Sequence, residues 1–371
     1  MTNYLRPQLS RILVVLVLLS TFIGSMRRAS AQSIRQSLED IAKEIGIPGM
    51  QVAFARGEHV NLYNYGVKKY DTTAYVYNET RFQAASLTKV VAAYTFFRLM
   101  DKGLIELDKP LWDYYQYDRL KNTPNGDKIT ARMVLTHRSG LLNWQGDVPS
   151  DAWRATPLTL QFEPGTDYMY SGEGFYFLQE TLEHITNKSF QTLVEEEVLR
   201  PMGMKNSNIV WNDSLENIAA YGHYELTKPR KLGKYRKSNA AYTLYTTAED
   251  YMRFIQKALL EGFGLKKSTH KLMMQKAAEA KKGENGDPTD KYVPCALGLR
   301  MQFNEKGTAY WHTGSNPGFR CFFITYPQRG ETLVAFMNTD QGFPAMKKLL
   351  QLFFGKDQTF WAYDWREGEL D

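Results

Sequence analysis

The chain has 371 residues, 43% of them apolar and 13% aromatic, with a formal net charge of +6. That content supports a sizeable buried core and either one large two-lobed domain or two domains, and it excludes a disordered or low-complexity chain. Four arginines within residues 1–31 carry most of the positive charge and leave +2 for the remainder, so no nucleic-acid partner is expected.

Residues 1–31 place Arg6 and Arg11 before an apolar run from Ile12 to Gly24, followed by Ala29-Ser30-Ala31. This is the layout of a secretory signal cleaved after Ala31, and it predicts an exported protein, periplasmic or secreted. Arg27 and Arg28 interrupt the stretch before the cleavage site. They leave a membrane anchor through residues 12–24 as the alternative, although the run is short for a spanning helix. After it, Ser33 with Gln36 reads as a capping box for a helix that stops at Gly46. "MQVAFA" and "HVNLYNYG" read as two strands of a hairpin joined through Arg56-Gly57-Glu58.

A helix is predicted from about 86 to 103, with Gly103 as its stop. From about 104 to 240 the pattern is short helices and loops: Thr130 caps "ARMVLTH", Pro164-Gly165 turns, and helices follow near 173–185 and 189–199. The basic run "KPRKLGKYRK" (228–237) reads as a solvated loop rather than an anion site. Thr246 and Thr247, with Glu249 and Asp250, form two overlapping capping boxes that open a helix. Four β-rich runs then follow, "CALGLRMQF", "TAYWHT", "FRCFFITYP" and "TLVAFMNT", whose short connections make them antiparallel neighbours. Phe343, Met346, Leu349, Leu350, Phe353 and Phe354 give the last helix an apolar stripe up to Gly355.

The strands near 50–66 and 295–338 together predict one antiparallel sheet, flanked by the N- and C-terminal helices, with a mostly helical lobe inserted between them. This is an α+β architecture. The expected division is a signal or anchor at 1–31, a discontinuous sheet domain of 32–80 plus 241–371, and a helical lobe of 81–240. A site would fall in the cleft between lobes. Cys295 and Cys321 either form one bridge or remain two buried thiols. The six histidines show no pair at ligand spacing, so neither a metal nor another cofactor is expected.

Chemistry enters at "QAASLTKVVAAYTFF" (83–97), where Lys89 sits in a run built for burial. A buried ammonium is costly unless it is paired or loses its proton. Ser86 lies three residues earlier on the same helical face, within reach of the amine. At a helix start, exposed N–H groups and the dipole disfavour an ammonium and favour a developing oxyanion. A neutral Lys89 can therefore take the Ser86 proton and make that hydroxyl a nucleophile without a histidine.

The stretch "TRFQAASLTKVVAAYTFFRLMDKGLIELDKPL" resembles the region around the active serine of penicillin-recognising serine hydrolases, the superfamily of class C β-lactamases, DD-peptidases and related esterases. The resemblance continues in order through "ITARMVLTHRSGL", "EPGTDYMYSGEGFYFLQETLEHIT", "AYTLYTTAEDYMRFIQ" and "WHTGSNPGFRCFFITYP", and covers most of residues 34–340. It implies a β-lactamase/transpeptidase-like fold and a small-molecule or peptide substrate. It further implies that Ser86 is acylated, that Lys89 and Tyr170 share its proton, and that Tyr170 activates water for deacylation. The backbone N–H groups of Ser86 and Ser315 would form the oxyanion hole. Thr313 and His312 would meet a substrate carboxylate, and Gly314 would let substrate approach the strand. His137 and Ser139 are expected to hold a loop together rather than touch substrate.

Two departures stand out. Gly172 occupies a position where the superfamily commonly has Asn, and His312 stands where its best-known members carry Lys. A largely neutral imidazole grips a carboxylate less firmly, and less still as pH rises past about 6.5. The reading is an exported serine hydrolase acting through an acyl-serine on ester, amide or β-lactam carbonyls; the alternative is a non-catalytic or single-turnover cell-wall or penicillin sensor on the same fold, which Gly172 favours. No G-x-S-x-G or H-E-x-x-H occurs, so α/β-hydrolase and metalloprotease chemistry lack support.

Overall fold

The computed structural model describes residues 32–283 and 285–367; the expected signal or anchor lies outside them. The helix at 32–45 ends at Gly46, which takes φ +79°. Ser33 already lies within it, and its carbonyl accepts from the Ser37 hydroxyl at 3.0 Å, so the expected capping box is replaced by an ordinary helical turn. β1 (Gly49–Arg56) and β2 (His59–Gly66) form the predicted hairpin, with Arg56 opposite His59 and Gly57 at φ +60° in the turn.

Five further strands complete a seven-stranded sheet, every neighbouring pair antiparallel: β5 (Cys295–Ala296), β6 (Leu299–Asn304), β7 (Gly307–Asn316), β8 (Phe319–Tyr326) and β9 (Glu331–Met337). Their order is β2-β1-β9-β8-β7-β6-β5. The pairing of β1 with β9, Val52 opposite Ala335, joins the two ends of the chain in one sheet. Between them the chain is mostly helical, with a two-strand ladder of β3 (Phe82–Gln83) and β4 (Tyr245–Thr246). The α+β architecture with an inserted helical segment is the one the sequence predicts.

Side chains of the sheet alternate between two cores. Ala53, Ala55, Phe323, Val334 and Phe336 join the core that holds the helix Thr88–Asp101. Val52, Phe54, Phe322, Ile324, Leu333 and Ala335 join the core under the terminal helices. Burial on both faces explains why "TLVAFMNT" reads as a continuous apolar run rather than an alternating one. The predicted stripe of the helix Phe343–Phe354 is buried against this second face, where Phe353 stacks on Phe54 at 4.8 Å.

Three further details differ from the sequence reading. The run Cys295–Phe303 is two strands, broken at Gly298 with φ +81°. Thr246 belongs to β4 and bonds the Ser207 hydroxyl at 2.7 Å, so Thr247 alone caps the helix Ala248–Ile255, accepting from the Asp250 N–H at 3.1 Å. An additional short helix, Trp361–Glu367, follows the expected last one and buries Trp365. Of the two alternatives for Cys295 and Cys321, the structure has two buried thiols, one in each of the two cores.

Gly298 also fixes where the helix Thr88–Asp101 lies, because a Cβ there would sit 2.2 Å from the Ala93 Cβ. Gly103 has a similar φ of +75° but nothing within 4 Å of its missing Cβ. Gly103→Ala should therefore cost about 1 kcal/mol, the price of left-handed backbone alone, and Gly298→Ala about 3 kcal/mol, since the helix must also shift. Urea unfolding of the two variants measures the difference; equal costs would mean that the close contact contributes nothing.

Candidate active site

Ser86 lies in a single 3₁₀ turn, Ala85–Leu87, that leads into the helix Thr88–Asp101. The turn is anchored from several directions. The Ala84 N–H donates to the Leu244 carbonyl at 2.8 Å, the Cys321 thiol donates to the Ala84 carbonyl at 3.1 Å, and the Thr88 hydroxyl donates to the Ala85 carbonyl at 2.6 Å. These contacts hold Ala85 at φ +46°, a left-handed conformation that costs a non-glycine residue about 1–2 kcal/mol. The absent side chain of Gly314 is part of the same anchoring: a Cβ there would lie 2.5 Å from the Cys321 sulfur and 2.6 Å from the Ala84 carbonyl oxygen. The close approach expected of substrate at Gly314 is thus made by the protein's own serine turn.

Lys89 is 1% exposed. Its Nζ donates to the Ser86 hydroxyl at 3.3 Å and to the Ala241 carbonyl at 3.1 Å. The nitrogen lies over the rings of Tyr170 and Phe175, at 4.7 and 5.7 Å from their centroids, and no carboxylate pairs with it among the described residues. Desolvation without a counter-charge lowers its pKa from 10.5 to about 7. Near neutral pH a substantial fraction of the protein therefore carries an amine able to accept the Ser86 proton.

Tyr170 is half-buried, and the residue that holds it was read only as a loop support. The His137 carbonyl accepts from the Met169 N–H at 2.8 Å, and its Nδ1 accepts from the Ser171 N–H at 3.1 Å, bracketing the tyrosine on both sides. The imidazole packs against the Tyr170 ring at 4.3 Å. Burial first, and then the charges of Arg300, Lys89 and His312, push the His137 pKa well below 6.5, so its ring stays neutral. Ser139 does only what was expected, accepting from the Leu141 N–H within its own loop at 3.3 Å.

A cavity of about 770 Å³ brings Ser86, Tyr170, His312, Thr313 and Ser315 together. β6 covers β7 only as far as Trp311, which faces Arg300, leaving the β7 edge from His312 onward beside the serine turn. Thr313 is buried and Ser315 exposed. His312 Nδ1 donates back to the Thr313 carbonyl at 2.6 Å, which leaves Nε2 of a neutral ring as an acceptor. Arg300, absent from the sequence reading, also lines the cavity. Its guanidinium lies 4.0 Å from the Trp365 ring and 5.8 Å from the Tyr170 ring. A signal was present, an arginine inside the largely apolar stretch "LGLRM".

The family model described as Beta-lactamase matches residues 34–353. A beta-lactamase of Providencia stuartii is 25% identical over 66% of this chain and 64% of its own length. The D-alanyl-D-alanine-carboxypeptidase/endopeptidase AmpH of Escherichia coli (strain K12) is 27% identical over 44% of this chain and 45% of its own. The chain thus spans less than two thirds of the length of these two relatives. A solved class C beta-lactamase aligns with a TM-score of 0.75 at 19% identity, covering 89% of this chain and 96% of that one; it shares the fold.

The buried amine has a stability consequence. Depression from 10.5 to about 7 means that the unfolded chain binds a proton the folded chain lacks across that interval, so stability rises with pH there and burial is most costly below it. Lys89→Met, which removes an unfavourable charge on the order of 4 kcal/mol but also two hydrogen bonds, should melt several degrees higher at pH 6. Its advantage should shrink as pH rises from about 7 to 9.5. Calorimetry at both ends checks this; a melting temperature below that of the parent at pH 6 would contradict the assigned cost.

Proposed function

The chain belongs to the Beta-lactamase family, and from that premise we propose that it is an exported serine hydrolase acting through an acyl-Ser86 intermediate on ester, amide or β-lactam carbonyls. One observation carries the reading: the Lys89 amine is buried, has no carboxylate partner among the described residues and lies 3.3 Å from the Ser86 hydroxyl. Lys89 takes the hydroxyl proton as Ser86 Oγ attacks the carbonyl carbon. The oxyanion that forms is received by the backbone N–H groups of Ser86 and Ser315. Collapse breaks the bond to the leaving group, which takes the proton back from Lys89 by way of Tyr170, and leaves the acyl ester on Ser86. Water then attacks that ester as its proton passes through Tyr170 to the Lys89 amine; the ester bond breaks, the acid is released, and Lys89 returns the proton to Ser86 Oγ.

Arg300 supports a substrate with a carboxylate on the leaving-group side. A guanidinium stacked between rings presents a planar donor pair suited to a carboxylate, and its charge is permanent, unlike that of an imidazole. D-amino-acid peptides and β-lactams both carry such a group. The sensor reading is kept as the second one, because Gly172 offers no side chain toward substrate.

A fluorophosphonate probe should label the parent and not Ser86→Ala, and kcat/KM for p-nitrophenyl acetate should rise as pH passes about 7, where Lys89 loses its proton. Labelling with no steady-state turnover would favour the sensor, and turnover in Ser86→Ala would reject the serine mechanism. Arg300→Ala should raise KM for a D-Ala-D-Ala peptide about tenfold or more while leaving the acetate ester nearly unchanged. Equal losses on the two substrates would remove Arg300 from carboxylate binding.

A further inference from the structure

A second cavity, of about 700 Å³, is lined by side chains of the segment 109–116 and by His184, and shares no residue with the cavity around Ser86. The helix Gly172–Thr186 connects the two. It begins two residues after Tyr170 and carries His184 near its other end, about 18 Å further along its axis at 1.5 Å per residue.

The walls of this second cavity are held by the backbone. Leu111 is fully buried, and its N–H donates to the Ile129 carbonyl at 2.8 Å. The Tyr114 and Tyr115 N–H groups both donate to the Leu111 carbonyl, at 3.0 and 2.9 Å. In so tight a turn residues three apart fall on one side, so Trp112 and Tyr115 face the same cavity. The Tyr114 hydroxyl accepts from the Glu106 N–H at 3.0 Å, and the Tyr117 ring stacks on Phe177 at 5.0 Å, which fixes the flanks of the turn.

Trp112 is half-buried. Of the seven tryptophans it is the one whose ring meets no aromatic or cationic neighbour among the described residues. It packs against the core on one side and lines the cavity on the other. Around it, the indole N–H, the Asp113 carboxylate, the Tyr115 hydroxyl, the Gln116 amide and the His184 imidazole make no hydrogen bond to a protein group among the described residues. An open indole face ringed by such groups suits a pyranose ring. The sugar's C–H bonds, of positive partial charge, meet the negative ring face, and its hydroxyls, each both donor and acceptor, meet the carboxylate and the amide.

Two other ligand classes fit less well. A cation would seek the tyrosine faces, but Lys109 Nζ already lies 4.6 Å from the Tyr114 centroid and His184 stacks on Tyr115 at 4.8 Å. An anion would meet Asp113 and the field of Glu180, Asp118 and Glu183, which adds to burial in raising the Tyr115 pKa.

We propose that this cavity binds a pyranose sugar, stacked on Trp112 and hydrogen-bonded by Asp113 and Gln116, so that a glycan is held apart from the reaction cavity. Ser86 takes no part in it, and the proposal stands independently of the serine-hydrolase reading.

Calorimetric titration of the full chain with chitotetraose, cellotetraose and maltotetraose tests it. At least one of these should bind with a Kd of about 1 mM or tighter, and equally well to Ser86→Ala. Trp112→Ala should weaken binding about tenfold or more, and Asp113→Ala and Gln116→Ala about three- to tenfold each. The last two side chains are exposed and unbonded, so their removal leaves the fold intact. Turnover of p-nitrophenyl acetate should change less than about twofold in all three variants. No binding of any tetrasaccharide, parent affinity in both Asp113→Ala and Gln116→Ala, or tetramethylammonium bound more tightly than any of the sugars would overturn the assignment. Loss of sugar binding in Ser86→Ala would place the sugar in the reaction cavity and overturn it as well.

Discussion

An amine buried without a counter-charge is the constraint to which the rest of the site answers. A carboxylate near Lys89 would stabilise the ammonium and abolish its use as a base. The buried acids of the neighbouring elements are all committed elsewhere. Glu173 is bound to Arg119, Glu197 to Arg98, and Asp250 to the Ser207 hydroxyl and the Asn206 N–H. Phe175 and Tyr170 supply an apolar and aromatic surround in place of an acid. The burial is unfavourable for folding and useful for chemistry, the usual relation between an active site and the stability of the fold around it.

Because the amine must stay near one hydroxyl, the helix that carries it has to be fixed along its length. The Tyr251 hydroxyl donates to the Leu87 carbonyl at 3.0 Å, and the Leu244 N–H donates to the Thr88 hydroxyl at 3.1 Å, so the segment before Ala248 and the following helix both hold the serine turn. β5–β6 reaches the same helix through the Gly298 turn, and β7–β8 reaches the turn through Gly314 and Cys321. Strained backbone at Ala85 persists under such over-determination, since each contact would have to break before the residue could relax. The distribution of small residues, Ala84, Ala85, Ala93, Gly298 and Gly314, follows from the same crowding.

The parts of this design that depend on local pattern were legible in the sequence. Ser86 and Lys89 are three residues apart on one helix, and the sheet strands and terminal helices announce themselves through apolar periodicity and through Gly46, Gly103 and Gly355. What escaped reading depends on pairing between distant segments. Arg300 becomes a site residue only because β6 stops covering β7 at Trp311. Gly314 appeared to make room for substrate, and the turn that fills that room comes from residues 84 and 85. His137 brackets Tyr170 through one carbonyl and one ring nitrogen, a relation across more than thirty residues that no periodicity records. Ser33 and Thr246 fit capping patterns as text, but their neighbours gave them other partners.

Charge placement in the cavity follows from the same logic. A lysine at position 312 would have put a second ammonium in the site and lowered the proton affinity of the working amine further. The imidazole at 312 donates to the Thr313 carbonyl and adds little charge when neutral, and the permanent cation sits on the neighbouring strand, where Arg300 is stacked on Trp365. On the proposed function, an anionic substrate docking on that guanidinium brings negative charge into the cavity as the Ser86 proton is about to move. A nearby negative charge raises the proton affinity of an amine, so a substrate carboxylate held on the Arg300 guanidinium, which offsets its charge, leaves Lys89 able to work as the base.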